Sequence, residues 1–238
     1  MKKRIWELDA LRGLFILCVI AVHFVYDITD LYALVDWHLP KGFLFLQQWG
    51  SVVFLLLSGI CVTLGSHNAK RGAIVFACGM LCSAATWAMY RFGLADKSII
   101  IYFGVLHCLG ICMLLWTLFR RLPWYALAFI GAILAGVGLS LDTPSLIGHI
   151  ALIPLGLPPA GFASSDYFPL LPYLGFFLLG AALGKTLYAR KQTRLPKVNA
   201  NHPIVRFFQF CGRQSLWIYL LHQPALNGIL LLIMFFKK

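Results

Sequence analysis

The stretch LDALRGLFILCVIAVHFVYDITD, residues 8–30, decides how this chain is read. Residues 14–22 form an unbroken apolar run, with Asp9 and Arg12 before it and His23, Asp27 and Asp30 after it. About 20 apolar residues make a helix that crosses a hydrocarbon core. Ionisable groups inside such a helix are costly and mark function. Arg12 and His23 lie eleven residues apart, about 1100° at 100° per residue, within about 20° of three full turns. They share one face with a rise of about 16 Å, roughly half a hydrocarbon core. Asp27 and Asp30 extend the line outward, and Asp9 lies one turn below Arg12. Snorkelling accounts for the two ends of this stripe. It does not account for an imidazole at mid-depth beside a carboxylate. That pair suits a general base, His23, oriented by Asp27.

Outward from this stretch, the composition says the same. Of 238 residues, 61% are hydrophobic and only 12% charged, with a mean hydropathy of +0.83. A soluble domain is nearer half apolar and a quarter charged, so an ordinary soluble, disordered or fibrous chain is excluded. The expected fold is an all-α polytopic membrane protein, a bundle of about seven transmembrane helices over roughly 12–34, 43–65, 72–93, 99–119, 124–141, 168–189 and 213–235. The whole chain, 1–238, is expected to form one transmembrane domain. The opening run has no small-residue cleavage site after it and is read as a retained span, not a signal peptide.

The net charge of +12 does not imply a nucleic-acid partner, because the basic residues sit beside apolar segments. They fix orientation instead. With the N-terminus inside, the inner segments hold Lys2, Lys3, Arg4, Arg12, Lys70, Arg71, Arg120, Arg121, Lys185, Arg190, Lys191, Arg194, Lys197, Arg206 and Arg213. The outer ones hold Lys41, Arg91, Lys97, Lys237 and Lys238. Fifteen of twenty basic residues inside places the N-terminus in the cytoplasm and the C-terminus outside, in a multi-pass protein of the cell membrane. The outer loop at about 142–167 is apolar but broken by prolines. Two readings stand for it: a re-entrant segment lining a cavity, or an interfacial loop. Gly180 and Gly184 give span six a small-xxx-small face for close helix packing.

His107 and His222 are also expected at mid-span, and Gln223 and the helix-breaking Pro224 follow His222. Three buried histidines on three helices point to a shared cavity lined by Asp30, His107, His222 and Gln223. His38 lies in the first outer loop, while His67 and His202 lie in basic inner loops and His149 in the odd outer loop. The seven cysteines are nearly all in apolar runs and read as small buried hydrophobes. Cys78/Cys82 and Cys108/Cys112 are spaced i, i+4, not as a C-x2-C zinc pair, and no metal is expected.

Four segments carry a resemblance that runs the length of the chain. They are Leu8-Asp9-Ala10-Leu11-Arg12-Gly13, Phe54-Leu55-Leu56-Leu57-Ser58-Gly59, Gly104-Val105-Leu106-His107-Cys108-Leu109-Gly110 and Ser215-Leu216-Trp217-Ile218-Tyr219-Leu220-Leu221-His222. The opening, with Arg12 and His23 ten residues between them, resembles the transmembrane acyltransferases. The rest is most similar to the heparan-alpha-glucosaminide N-acetyltransferase family. The resemblance implies acetyl-CoA as acyl donor entering from the cytosol, and a histidine that assists transfer to a glycan amine or hydroxyl on the far side. Arg12, Lys70, Arg71, Arg120 and Arg121 would hold the phosphates of the donor. The lysosomal enzyme of this family has more spans, a luminal domain, and an asparagine where His23 falls. Its histidine lies in the following loop, where His38 is the nearest counterpart. Both His23 and His38 therefore stand as candidate bases. With seven spans, a second copy of the chain is a candidate to close the cavity.

Two other classes compete. A His/Asp proton relay in a transporter would use the same stripe, though no inverted repeat is visible. A haem or quinone protein would use His23, His107 and His222. The charge count is testable by itself: a reporter fused within residues 190–203 should read as cytoplasmic, and an external signal there would overturn the orientation.

Overall fold

A computed structural model describes residues 4–141 and 148–236. Residues 142–147 of the expected outer loop, and Lys2, Lys3, Lys237 and Lys238 of the charge count, lie outside the described residues. The helices are α1 (Trp6–Tyr26), α2 (Lys41–Leu64), α3 (Asn68–Arg91), α4 (Val105–Phe119), α5 (Trp124–Ser140), α6 (Leu170–Leu187), α7 (Pro203–Arg213) and α8 (Ser215–Phe236). A π-helical turn, Asp27–Leu31, continues α1, and short 3-10 turns occur at Lys97–Ile99 and Ile150–Leu155. The described residues form no strand beyond one isolated bridge, Phe103 with Tyr167.

Four helices are long and apolar enough to cross a membrane: Trp6–Leu31, Asn68–Arg91, Leu170–Leu187 and Ser215–Phe236. The bent pair Lys41–Gln47 and Trp49–Leu64 makes a fifth if it is one broken span. α4 and α5 are apolar but shorter, with 15 and 17 residues. The apolar run expected to span from residue 99 spends its first six residues outside α4. Ile100 and Phe103 are instead committed to contacts with the segment before α6.

By its contacts the chain divides into two compact units, one from the two ends (up to Phe54, and from Lys191 onward) and one from Leu55 to Arg190. In the middle unit, glycines set the spacing. A Cβ at Gly180 would fall on the Leu56 carbonyl oxygen, and one at Gly59 on that of Phe177. At Gly184 it would lie 2.6 Å from Thr63 Oγ1 and 2.9 Å from the Ile60 carbonyl oxygen. The small-xxx-small face of α6 thus packs against α2, as the sequence predicts. Gly72 against Gly110 and Gly79 against His107 do the same for α3 and α4, and Gly131, Gly138 and Gly175 for α5 and α6. Close backbone approach is how helices associate where apolar burial gives no advantage over lipid.

These pairings bring the basic turns to one end of the middle unit. α3 and α4 run antiparallel, so Lys70 and Arg71 at the start of one are at the same end as Arg120 and Arg121 past the end of the other. Lys185 Nζ of α6 donates to the carbonyl oxygens of Arg120 (2.8 Å) and Leu122 (2.5 Å), capping the last turn of α4 with a cation. At the opposite end, the segment before α6 folds onto the one before α4. Ser164 Oγ donates to the Ile100 carbonyl, Ser165 Oγ to that of Ile99, and Phe168 N–H to that of Phe103. Burial pushes the Tyr167 phenol up to about 12, which keeps it a donor to the Ile153 carbonyl at 2.7 Å.

In the terminal unit, α7 and α8 pack on α1. A Cβ at Gly13 would meet the Phe208 carbonyl oxygen, and one at Gly212 that of Asp9, so α7 runs antiparallel to the base of α1. Buried Glu7 accepts from Thr193 Oγ1 (2.8 Å) and Arg194 N–H (2.7 Å), tying the polar stretch before α7 to the first turn of α1.

The glycine contacts make a discriminating test. Gly13→Ala and Gly180→Ala should each destabilise the detergent-solubilised protein by about 1–3 kcal/mol, through overpacking against rigid backbone. Gly136→Ala, in α5 with nothing within 4 Å of its Cβ position, should gain about 0.5–1 kcal/mol from helix propensity. Thermal unfolding of the three variants checks the order. A stabilised Gly13→Ala would refute the α1–α7 contact.

Candidate functional site: the polar seam between α1 and α8

The seam begins where α1 changes its winding. Tyr32 N–H donates to the Asp27 carbonyl oxygen at 2.9 Å, an i to i+5 turn that inserts the π-helical segment. Such turns are frequent at functional sites. The wider turn shifts the residues after Tyr26 relative to a straight helix. Asp27 is fully buried, while Asp30 is exposed beside the Thr29 hydroxyl, 2.6 Å from its Oδ2. The outermost member of the expected stripe is therefore displaced to the surface.

α8 supplies a matching stripe from His222, Gln223 and Asn227. The His23 and His222 ring centroids are 4.9 Å apart. Gln223 Nε2 donates to Asp27 Oδ1 at 3.0 Å. Tyr32 OH donates to Asn227 Oδ1 at 2.7 Å, and Asn227 Nδ2 to the Gln223 carbonyl at 3.0 Å. Burial and the nearby Asp27 carboxylate raise the Tyr32 pKa, so the phenol remains a donor. The contact order 23 to 222, 27 to 223 and 32 to 227 shows that α1 and α8 run parallel.

The expected His23–Asp27 bond does not form. Asp27 is committed to Gln223, and the His23 ring, half-buried, makes no hydrogen bond to any described residue. His222 is its partner by ring contact. In turn, the His222 Nδ1 lies 2.5 Å from the Tyr219 carbonyl oxygen. Three buried polar atoms in this seam lack a hydrogen-bond partner: Asp27 Oδ2, His222 Nε2 and Gln223 Oε1. Such atoms are rare in folded proteins, and each calls for an explanation. All three belong to residues of the α1–α8 seam.

The other candidates are distributed differently. His107 belongs to the middle unit, where Gly104 N–H donates to its Nδ1 (3.2 Å) and its Nε2 is 3.3 Å from Ser83 Oγ. The Ser83 hydroxyl donates onward to the Ile101 carbonyl at 2.5 Å, so Nε2–H is the donor to Ser83. Both ring nitrogens are used in holding the start of α4, which gives His107 a structural task. His38 is exposed. Arg12 Nη1 is 3.8 Å from Asp9 Oδ1, and Asp9 Oδ2 is 3.7 Å from Arg4 Nη1. Lys70, Arg71, Arg120 and Arg121 are exposed at the basic end of the middle unit. No group of three or more His, Cys, Asp or Glu side chains suited to a metal ion occurs among the described residues.

Sequence reasoning missed Tyr32 and Asn227. Asn227 was within reach, since a polar residue four positions after Gln223 in an apolar helix continues a stripe. Tyr32 was not, because its alignment depends on the π turn.

The family model described as heparan-alpha-glucosaminide N-acetyltransferase, catalytic, matches residues 4–224. No curated protein and no solved structure matches the chain.

The seam predicts an asymmetric mutational response. Gln223→Leu removes the amide donor to a fully buried carboxylate and should cost about 1–3 kcal/mol. Asp27→Leu combined with Gln223→Leu removes both partners and should cost less than the single change. Chemical unfolding of the single and double variants measures the difference, and strict additivity would deny the contact.

Proposed function

The chain belongs to the heparan-alpha-glucosaminide N-acetyltransferase catalytic family, and from that premise we propose that it moves an acetyl group from cytosolic acetyl-CoA to a sugar amine or hydroxyl outside the cell membrane, at the histidine pair of α1 and α8. Membership makes it a membrane acetyltransferase. The observation that carries the rest is the buried seam of His23, Asp27, His222 and Gln223. The exposed alternative, His38, has no such surroundings. An imidazole in the seam takes the acceptor's proton or carries the acyl group in transit. The acceptor arrives from the side of Asp30 and His38. Lys70, Arg71, Arg120 and Arg121, with Arg12, attract the phosphates of the donor from the cytosolic side. A second copy of the chain is the natural partner where one bundle leaves the cavity open.

Two measurements test this on the purified full-length protein. Acetyl-CoA should raise the unfolding midpoint, by the equivalent of about 2.7 kcal/mol at a hundred times its Kd, and Arg120→Glu with Arg121→Glu should weaken that shift. With glucosamine as the probe acceptor, His23→Ala combined with His222→Ala should cut turnover by about 10²–10⁴-fold, the worth of general-base assistance, while the acetyl-CoA shift persists. A loss of that size in His38→Ala, with both buried histidines intact, would move the chemistry to the outer loop.

A further inference from the structure

Resting on the reading that transfer takes place in the seam, we infer that His222, not His23, is the general base, and that Asp27 Oδ2 and Gln223 Oε1 position the nucleophile against it. A carbonyl oxygen only accepts, so the hydrogen bond between His222 Nδ1 and the Tyr219 carbonyl fixes the ring hydrogen on Nδ1. In a neutral imidazole Nε2 then carries the lone pair. That atom is buried and unpartnered. The carboxylate of Asp27 accepts from the amide nitrogen of Gln223, which leaves the amide oxygen as the uncommitted atom. Asp27 Oδ2 is a third acceptor.

The three buried atoms without a partner are therefore all acceptors. A seam that served only to join two helices would match donors with acceptors, as Tyr32 and Asn227 do. The complement of three acceptors is a group that donates, the X–H of an alcohol or amine. His23 lies against the His222 ring, but no hydrogen bond commits either of its nitrogens. It has no fixed lone pair to offer.

The oxygen or nitrogen of the acceptor attacks the thioester carbonyl carbon, forming the new C–X bond as its proton passes to His222 Nε2. The Tyr219 carbonyl, already bonded to Nδ1–H, stabilises the imidazolium. The tetrahedral intermediate collapses, the C–S bond breaks, and the thiolate leaves and takes up the proton from His222. Acetyl thioester and H–X–R become acetyl–X–R and free thiol, and the imidazole returns to its starting form.

The test uses the full-length protein in lipid nanodiscs, with acetyl-CoA as donor and glucosamine as probe acceptor. His222→Gln should lower kcat by about 10²–10⁴-fold with KM for acetyl-CoA held within about threefold, and should abolish the loss of kcat at acid pH that comes from protonating the base, whereas His23→Gln should retain that acidic limb. Turnover in His222→Gln within about threefold of wild type would overturn the assignment while leaving the acetyltransferase reading standing. A wild type that transfers acetyl to neither glucosamine nor water would overturn the reading itself, and this assignment with it. A measurement independent of any His222 variant guards against misfolding: histidine nitrogen NMR of the wild type, with His222 assigned by selective labelling. The hydrogen should be on Nδ1 in the neutral ring, and a neutral His222 protonated at Nε2 would refute the proposal.

Discussion

The contact on which the functional seam depends is the hydrogen bond from Gln223 Nε2 to the buried Asp27 carboxylate. In an apolar surrounding an unpartnered polar group costs several kcal/mol, so α1 and α8 are held together at this point by the cost of separating them. The contact also fixes register. With Asp27 held to Gln223, the preceding stripe residue on α8, His222, faces His23, and the following one, Asn227, meets Tyr32. The amide answers only half of the carboxylate, and Asp27 Oδ2 has no hydrogen-bond partner among the described residues.

A different constraint shapes the middle unit. There almost no polar side chain joins the long helices. The contacts come from glycines that let backbone meet backbone, and the polar groups gather at the two ends. This is the division expected of a chain in lipid: spacing set by small residues, polar bonding confined to short segments where backbone groups would otherwise go unsatisfied. His107 follows the rule, since its ring spans Gly104 N–H and Ser83 at the start of α4.

How much of this was legible in the sequence differs by physical cause. The all-helical class and the close-packing face of Gly180 and Gly184 follow from composition and spacing, which survive into the fold because lipid imposes them. The His23 and Asp27 stripe was legible as far as Tyr26, where the helix is regular. Beyond it the π turn breaks the 100° rule, moving Asp30 outward and bringing Tyr32 to Asn227. The pairing of Asp27 with Gln223 in place of His23 is a tertiary choice between two neighbours, and no single-helix pattern contains it. The short α4 was equally hidden. Its first residues are apolar enough to span, but their backbone is taken by the loop before α6, a partner some sixty positions away.

Four of the described helices are long and apolar enough to cross a membrane, and the bent α2 makes a fifth if its two parts are one span. α4 and α5, at 15 and 17 residues, are shorter. Their glycine contacts with α3 and α6 show why shortness is tolerable: a helix packed along its longer neighbours can leave part of the hydrocarbon depth to them, and the loops folded over its end shield the backbone that an unaided span would expose.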